Sequence, residues 1–152
     1  MKAVIQRVSR ASVDVDGESV GSCGRGYMIL LGVAEGDTEQ DAELLCKKIA
    51  NLRIFPDDEG KMNRSIKDID GEALVISQFT LLANYRHGNR PDFLESAKPD
   101  VADRLYEYFK KLLDGEIRHV GAGVFGAHMQ VSLVNEGPVT IVMDSEVLKK
   151  KK

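Results

Sequence analysis

The chain has 152 residues, 43% of them hydrophobic and 30% charged, with a formal net charge of −3. This suits one soluble globular domain with a single core and excludes a disordered chain. It also argues against a strongly basic nucleic-acid binder, though a local basic face stays compatible with it. No apolar run approaches the roughly 20 residues that span a membrane. The expected setting is cytoplasmic, with Cys23 and Cys46 as reduced, buried thiols.

Met1 to Val8 reads as a strand with Ala3, Ile5 and Val8 inward, and no signal-peptide pattern precedes it. Ala11 to Val15 is a short strand, Asp16-Gly17 a hairpin turn, and Glu18 to Ser22 the returning partner. Cys23-Gly24-Arg25-Gly26 turns again. Tyr27 to Val33 is the most apolar run, as expected of a strand buried on both faces. A helix follows from about Glu39 to Asn51, with Asp37 or Thr38 as its cap and Asp41 in its first turn. Leu52 to Phe55 and a return beginning at Lys61-Met62 are short strands. Ala73 to Phe79 is a second buried strand. Thr80 to Arg90 is a polar loop. A second helix starts at Pro91-Asp92-Phe93, breaks near Lys98-Pro99, and continues under an Asp100 cap from Val101 to Leu113. Gly115 is expected to end it with positive φ. Glu116 to Val120 is a strand, and Gly121 to Gly126 a glycine-rich turn. The last apolar segment, Met129 to Met143, alternates with a period of two but carries Gly137-Pro138 in its middle. Proline cannot donate to a strand ladder. The pair is either an ordinary turn between two strands or a rigid tip, with a cis peptide, presented to a ligand.

Strands dominate and the order is not a βαβ alternation. The expected fold is a mixed α/β one, with a largely antiparallel sheet or partly closed barrel under two covering helices. One domain spans residues 1–148, and the lysine run 149–152 reads as a disordered tail.

Three stretches could carry chemistry. Ser77-Gln78-Phe79-Thr80 places polar groups where a buried strand gives way to a loop, a common position for binding residues; it could equally be a strand exit with satisfied hydroxyls. Thr80 or Ser77 as a nucleophile needs a base, and His87 is the only histidine nearby, so no triad is assigned. Gly121 to Gly126 could bring backbone N–H groups to an oxyanion, or merely connect two strands; Phe125 within it could stack on a base or fill the core. Arg86, His87, Arg90 and the lysine tail could meet phosphates or simply be solvated. His87, His119 and His128 are scattered, and neither they nor the cysteines have metal-ligand spacing, so no metal and no cofactor is expected.

Taken together, Ser77-Gln78-Phe79-Thr80-Leu81 and Asn135-Glu136-Gly137-Pro138-Val139-Thr140 resemble the two signatures of the D-aminoacyl-tRNA deacylases of the D-tyrosyl-tRNA deacylase type. The opening Met1 to Val8 and the segment Gly123 to Met129 are similar to that family as well. The resemblance implies a cytoplasmic homodimer that cleaves the ester between a D-amino acid, or mischarged glycine, and the terminal adenosine of tRNA. It implies an active site at the subunit interface, into which a cis Gly137-Pro138 projects from the other subunit. By the same resemblance Arg7 holds the Gly-Pro segment, Ser77, Gln78, Phe79 and Thr80 line the pocket, and Phe125 borders the adenosine. Catalysis is expected to rely on the 2′-hydroxyl of the terminal ribose, with backbone N–H groups near Phe79 and Thr80 stabilising the oxyanion and Thr80 positioning rather than attacking. Two other readings stand beside it: an RNA-binding module without turnover, and a metal-dependent hydrolase, for which the sequence offers no ligand cluster.

Overall fold

The computed structural model describes residues 1–150. Its spine is β1 (Lys2–Val15), one continuous strand where two short ones were expected. It stays extended past the exposed Ser9 and Arg10 because β8 (Gln130–Asp144) pairs across them at Val8, Arg10 and Ala11. One edge pairs throughout with β8. The other pairs first with β3 (Gly26–Gly32) and then, beyond the Gly24-Arg25 corner, with β2 (Glu18–Cys23). Asp16 and Gly17, at φ of 51° and 80°, make the hairpin turn between β1 and β2.

Beyond β3 the sheet becomes parallel, through β6 (Glu72–Ser77) and β7 (His119–Ala122). β7 then returns against β2. A Cβ on Gly21 would lie 2.2 Å from the Ala122 carbonyl oxygen, and one on Gly121 would lie 2.5 Å from that of Ser22. His119 Nε2 stands 2.9 Å from the same Ser22 oxygen. Two backbones meet here with no room for a side chain, and the sheet is nearly closed into a barrel.

The central strands are apolar without alternation because both faces are covered. Ala3, Ile5, Tyr27, Ile29, Leu31, Ala73 and Val75 face two helices, α1 (Glu39–Asn51) and α2 (Pro99–Asp114). Val8, Met28, Leu74 and Ile76 face the barrel interior, joined by Ala11 and Val13 of β1. The change from even to odd positions follows from the register shift between Val8 and Arg10, where Ser9 is one extra residue of β1 against β8 and turns the following side chains to the other face. A small hairpin of β4 (Phe55–Pro56) and β5 (Met62–Arg64) lies apart from the main sheet. Cys23 and Cys46 are buried free thiols, and burial pushes both up to about 11.

Several boundaries differ from expectation. The second helix starts only at Pro99, whose missing N–H costs nothing at the first helical position, so Lys98 and not Asp100 occupies the cap. Residues 91–97 are irregular, tied by bonds such as Ala97 N–H to the Val33 carbonyl. Gly115 ends that helix in the right-handed region, at φ −75°, and its N–H donates back to the Lys111 carbonyl at 3.3 Å. β7 begins three residues later than expected, at His119, and β4 begins at Phe55, not Leu52. Lys149, read as the first tail residue, instead closes a short helix, α3 (Ser145–Lys149); residues 151 and 152 of the tail lie outside the described residues.

The order of Lys149 has a local cause. Asp41, fully buried at the start of α1, accepts from the Thr38 N–H at 2.9 Å, the Ser145 hydroxyl at 2.6 Å and the Lys149 ammonium at 2.7 Å. Burial alone would raise its pKa; the bonds from Lys149, Ser145 and Thr38 outweigh that and hold it at about 2. The carboxyl titrates lower in the folded than in the unfolded chain. Its contribution is therefore complete above the ordinary value of 3.8 and disappears as pH falls toward 2. Asp41→Asn is expected to cost about 2 kcal/mol in urea unfolding at pH 7, and progressively less below pH 4. A cost that does not change with pH would show that the carboxylate charge is not what fastens α3.

Candidate active site

The site is read from the end of β6. Gln78 N–H extends the parallel ladder to the Leu31 carbonyl at 2.8 Å, and the chain then coils into a 3-10 turn, Phe79–Leu82. Gly32 at the end of β3 makes room for that coil. A Cβ there would lie 2.7 Å from Leu82 Cδ2 and 2.9 Å from the Gln78 carbonyl oxygen. Leu82 is buried beneath, so Phe79 and Thr80 are turned outward, and Phe79 remains 54% exposed. The first bond of the turn runs from Leu81 N–H to the Gln78 carbonyl, which leaves the N–H groups of Phe79 and Thr80 without an acceptor inside the turn. The Gln78 side-chain amide donates to the Thr80 hydroxyl. An amide cannot accept a proton from that hydroxyl, so it orients Thr80 without activating it. The expected strand to Phe79 thus ends at Ser77, which is half-buried.

Phe125 is also half-buried and packs 6.2 Å from Tyr106 of α2, whose hydroxyl donates to the Val75 carbonyl on β6 at 2.7 Å. It therefore flanks the same end of β6 as Ser77. Its glycine-rich surroundings serve packing: a Cβ on Gly123 would lie 2.4 Å from Met129 Sδ, and Gly121 belongs to the barrel seam.

The Gly137-Pro138 pair neither ends the strand nor turns it. β8 continues through it on the same partner, with Thr140 opposite Gln6 and Asn135 opposite Val8. Residues 136–139 are looped out opposite the single residue Arg7. Arg7 Nε donates to the Glu136 carbonyl at 3.0 Å and Nη1 to the Ile54 carbonyl at 2.7 Å, so one guanidinium ties the excursion to the loop before β4. Asn135 closes its base, donating to the Thr140 hydroxyl at 2.9 Å and accepting from Val139 N–H at 2.9 Å. The Gly137-Pro138 peptide is cis, and both residues are exposed at the tip.

A single chain does not bring all of these residues together. Ser77 lies beside Leu31, and Arg7 beside Tyr27. Those rows are four residues apart on β3, about 13 Å at the rise of a strand. Ser77, Gln78, Phe79, Thr80 and Phe125 form one group; Arg7, Gly137 and Pro138 form another. A nearby cleft of about 530 Å³ contains Leu82 and Leu94 but is rimmed by Glu35, Asp37, Glu95, Asp144 and Glu146, and none of the expected site residues lines it. Among the described residues no three His, Cys, Asp or Glu side chains converge to hold a metal ion. Sequence reasoning passed over Asn135 and Thr140 as individuals, although both stand in the second motif. It also missed Phe93, which meets Phe79 edge-on at 5.0 Å.

Residues 4–144 match the family model described as D-Tyr-tRNA(Tyr) deacylase. The chain belongs to that family. Curated D-aminoacyl-tRNA deacylases of Roseiflexus castenholzii and Caldicellulosiruptor saccharolyticus are 60% and 56% identical to it. The first alignment covers 98% of this chain and 95% of the relative; the second covers 96% and 98%. Among solved structures, the c-Myc DNA unwinding element binding protein superposes with a TM-score of 0.90 at 44% identity, covering 95% of this chain and 98% of that one. A protein described as a probable eukaryotic D-amino acid tRNA deacylase shares the fold, with a TM-score of 0.76 at 17% identity over 93% of this chain and 97% of that one.

In this member of the deacylase family the Arg7 fork is the tie that spans two carbonyls. Lysine, a point charge without the fork, cannot hold both. In both Arg7→Ala and Arg7→Lys, amide hydrogen exchange is expected to quicken over residues 136–139, while α2 keeps its protection. Unchanged exchange at residues 136–139 would remove Arg7 from the account of the tip.

Proposed function

We propose that this chain hydrolyses the ester joining a D-amino acid to the terminal adenosine of tRNA; its curated relatives are named D-aminoacyl-tRNA deacylases. The observation that carries the reading is the coexistence of the Ser77 to Thr80 turn and the tethered Gly137-Pro138 tip in a member of this family. The enzyme class is a carboxylic ester hydrolase acting in translation quality control, in the cytoplasm, without a cofactor. No helix among the described residues is long and apolar enough to cross a membrane.

The separation of the two groups along β3 supports a homodimer in which each site joins the Ser77 to Thr80 turn of one subunit to the Gly137-Pro138 tip of the other. Val124, Val134 and Val142 are exposed apolar side chains on the isolated chain, at 46%, 40% and 76%, which fits a chain that a second copy partly covers. D- and L-aminoacyl groups differ only in the direction in which the side chain leaves Cα. A backbone tip held by Arg7 and Asn135 bars the L direction and touches no D side chain, so many D-amino acids are accepted. Glycine, with nothing to bar, enters as well.

For the chemistry, Thr80 has an amide for a neighbour and not a base, which favours positioning over attack. The ester carbonyl lies against the outward N–H groups of Phe79 and Thr80, which hold the developing oxyanion, and the substrate's own 2′-hydroxyl assists. Ser77 and Gln78 shape the floor, and Phe125 borders the adenine.

One observation favours a second reading. The solved relative at 44% identity is named for binding a DNA element, so a nucleic-acid-binding module without turnover is the competing class. The deciding assay offers D-tyrosyl-tRNA and L-tyrosyl-tRNA side by side to catalytic amounts of protein. Release of D-tyrosine with the L ester spared supports the hydrolase, and retardation of charged tRNA without release supports the binding module. In the same assay Thr80→Val is expected to retain activity at a reduced rate, and a 2′-deoxy terminal ribose to slow the wild type severely. Total loss in Thr80→Val, with fold and binding intact and the 2′-deoxy ester still cleaved, would make Thr80 the nucleophile.

A further inference from the structure

The loop that leaves the Phe79–Leu82 turn is closed on itself. Asn84 and Asp92 exchange backbone bonds, N–H to carbonyl, at 2.8 and 3.0 Å. Their side chains are spent locally: Asn84 Oδ1 accepts from Arg86 N–H at 3.1 Å, and Asp92 Oδ1 from Leu94 N–H at 3.2 Å. Between them every residue from Tyr85 to Pro91 is exposed, Tyr85 by 82%, and Gly88 at φ +67° turns the tip in open space. The segment carries Arg86 and Arg90 and no acidic side chain before Asp92. Among the described residues neither arginine pairs with a carboxylate, whereas Arg64, Arg104 and Arg118 each do. The Phe79–Phe93 contact fastens the far strand of the loop to the turn that bears Thr80.

This is an uncompensated cationic loop with an exposed aromatic ring, on a protein of net charge −3. The cleft lined by Leu82 and Leu94 carries Glu35, Glu95, Asp144 and Glu146 against Lys2, its Asp37 being paired with the Met1 ammonium, and this acidic balance disfavours a polyanion there. Single-stranded RNA is bound by stacking its bases on aromatic rings and its phosphates on cations. We infer that the loop Asn84–Asp92 holds the single-stranded 3′ end of tRNA, with Arg86 and Arg90 on phosphates preceding the terminal adenosine and Tyr85 stacked on a base. The inference rests on the hydrolase reading for its substrate, and it adds residues that act on the polynucleotide without touching the ester.

The test compares wild type, the double variant Arg86→Gln with Arg90→Gln, and Tyr85→Ala on two substrates, D-tyrosyl-tRNA and the short ester D-tyrosyl-adenosine, over a range of salt. On the tRNA both are expected to raise KM with kcat kept, Tyr85→Ala by about tenfold, the size of one lost stack. The arginine variant is also expected to flatten the log–log salt dependence by about 0.7 for each phosphate released. On the short ester both should match wild type. Equal losses on the two substrates, or an unchanged salt slope and KM on tRNA, would overturn the inference. If wild type cleaves neither substrate, the hydrolase reading fails by itself. Filter binding of uncharged tRNA by the same variants then decides the loop: weaker binding with a flatter slope supports it, and unchanged binding overturns it.

Discussion

One guanidinium sets the shape of the second signature. Arg7 faces four residues of β8 where a regular ladder would supply one, and its two donors reach the Glu136 and Ile54 carbonyls. Without it the looped-out backbone would carry an unpaired carbonyl beside the sheet, and hydrogen bonds from a charged donor are among the stronger ties available. The tip is thereby built into the longest strand pair of the molecule, β1 with β8, and is not a free-standing loop. On the proposed reading, in which this backbone distinguishes mirror-related substrates, such support is required, because a tip that gives way discriminates nothing.

The rest of the fold makes the tether possible. Arg7 sits just before the point at which β1 changes parity, since Val8 faces the barrel interior and, beyond the extra residue Ser9, so do Ala11 and Val13. The same strand shares β3 with β6, which delivers the Ser77 to Thr80 turn at its end. Glycines appear where backbones touch: Gly21 and Gly121 at the seam, and Gly32 beneath the turn. Each removes a side chain so that a neighbouring segment can approach, and the outward aim of Phe79 and Thr80 depends on the last of them.

Much of this was legible in the chain. The unalternating run around Tyr27 to Val33 predicts two covered faces, and Thr38 with Asp41 predicts the start of α1. The class of fold follows from the order of strands. What escaped depended on distant partners. The excursion in β8 looks like a turn because its cause, Arg7, lies 129 residues away. β1 looks like two strands because Ser9 and Arg10 are polar, yet β8 pairs across them. Lys149 looks like tail until Asp41 is placed opposite it. Pro99 reads as a break but is the first residue of a helix. For the candidate site, the residues of both signatures could be named from the sequence. Their division into two groups about 13 Å apart could not, because it follows from β-register.

That division underlies the proposed site shared between two copies, and subunit mixing tests it most directly. Thr80→Phe disables the turn, and Gly137→Val disables the tip, where a Cβ already meets Arg7 Nη2 at 3.1 Å. Each variant alone is inactive on this account. Co-refolded in equal amounts, they should recover about a quarter of wild-type D-tyrosyl-tRNA hydrolysis, since half the dimers then carry one site with both parts intact. A mixture that exchanges subunits yet stays as inactive as its components would contradict a site assembled from two chains.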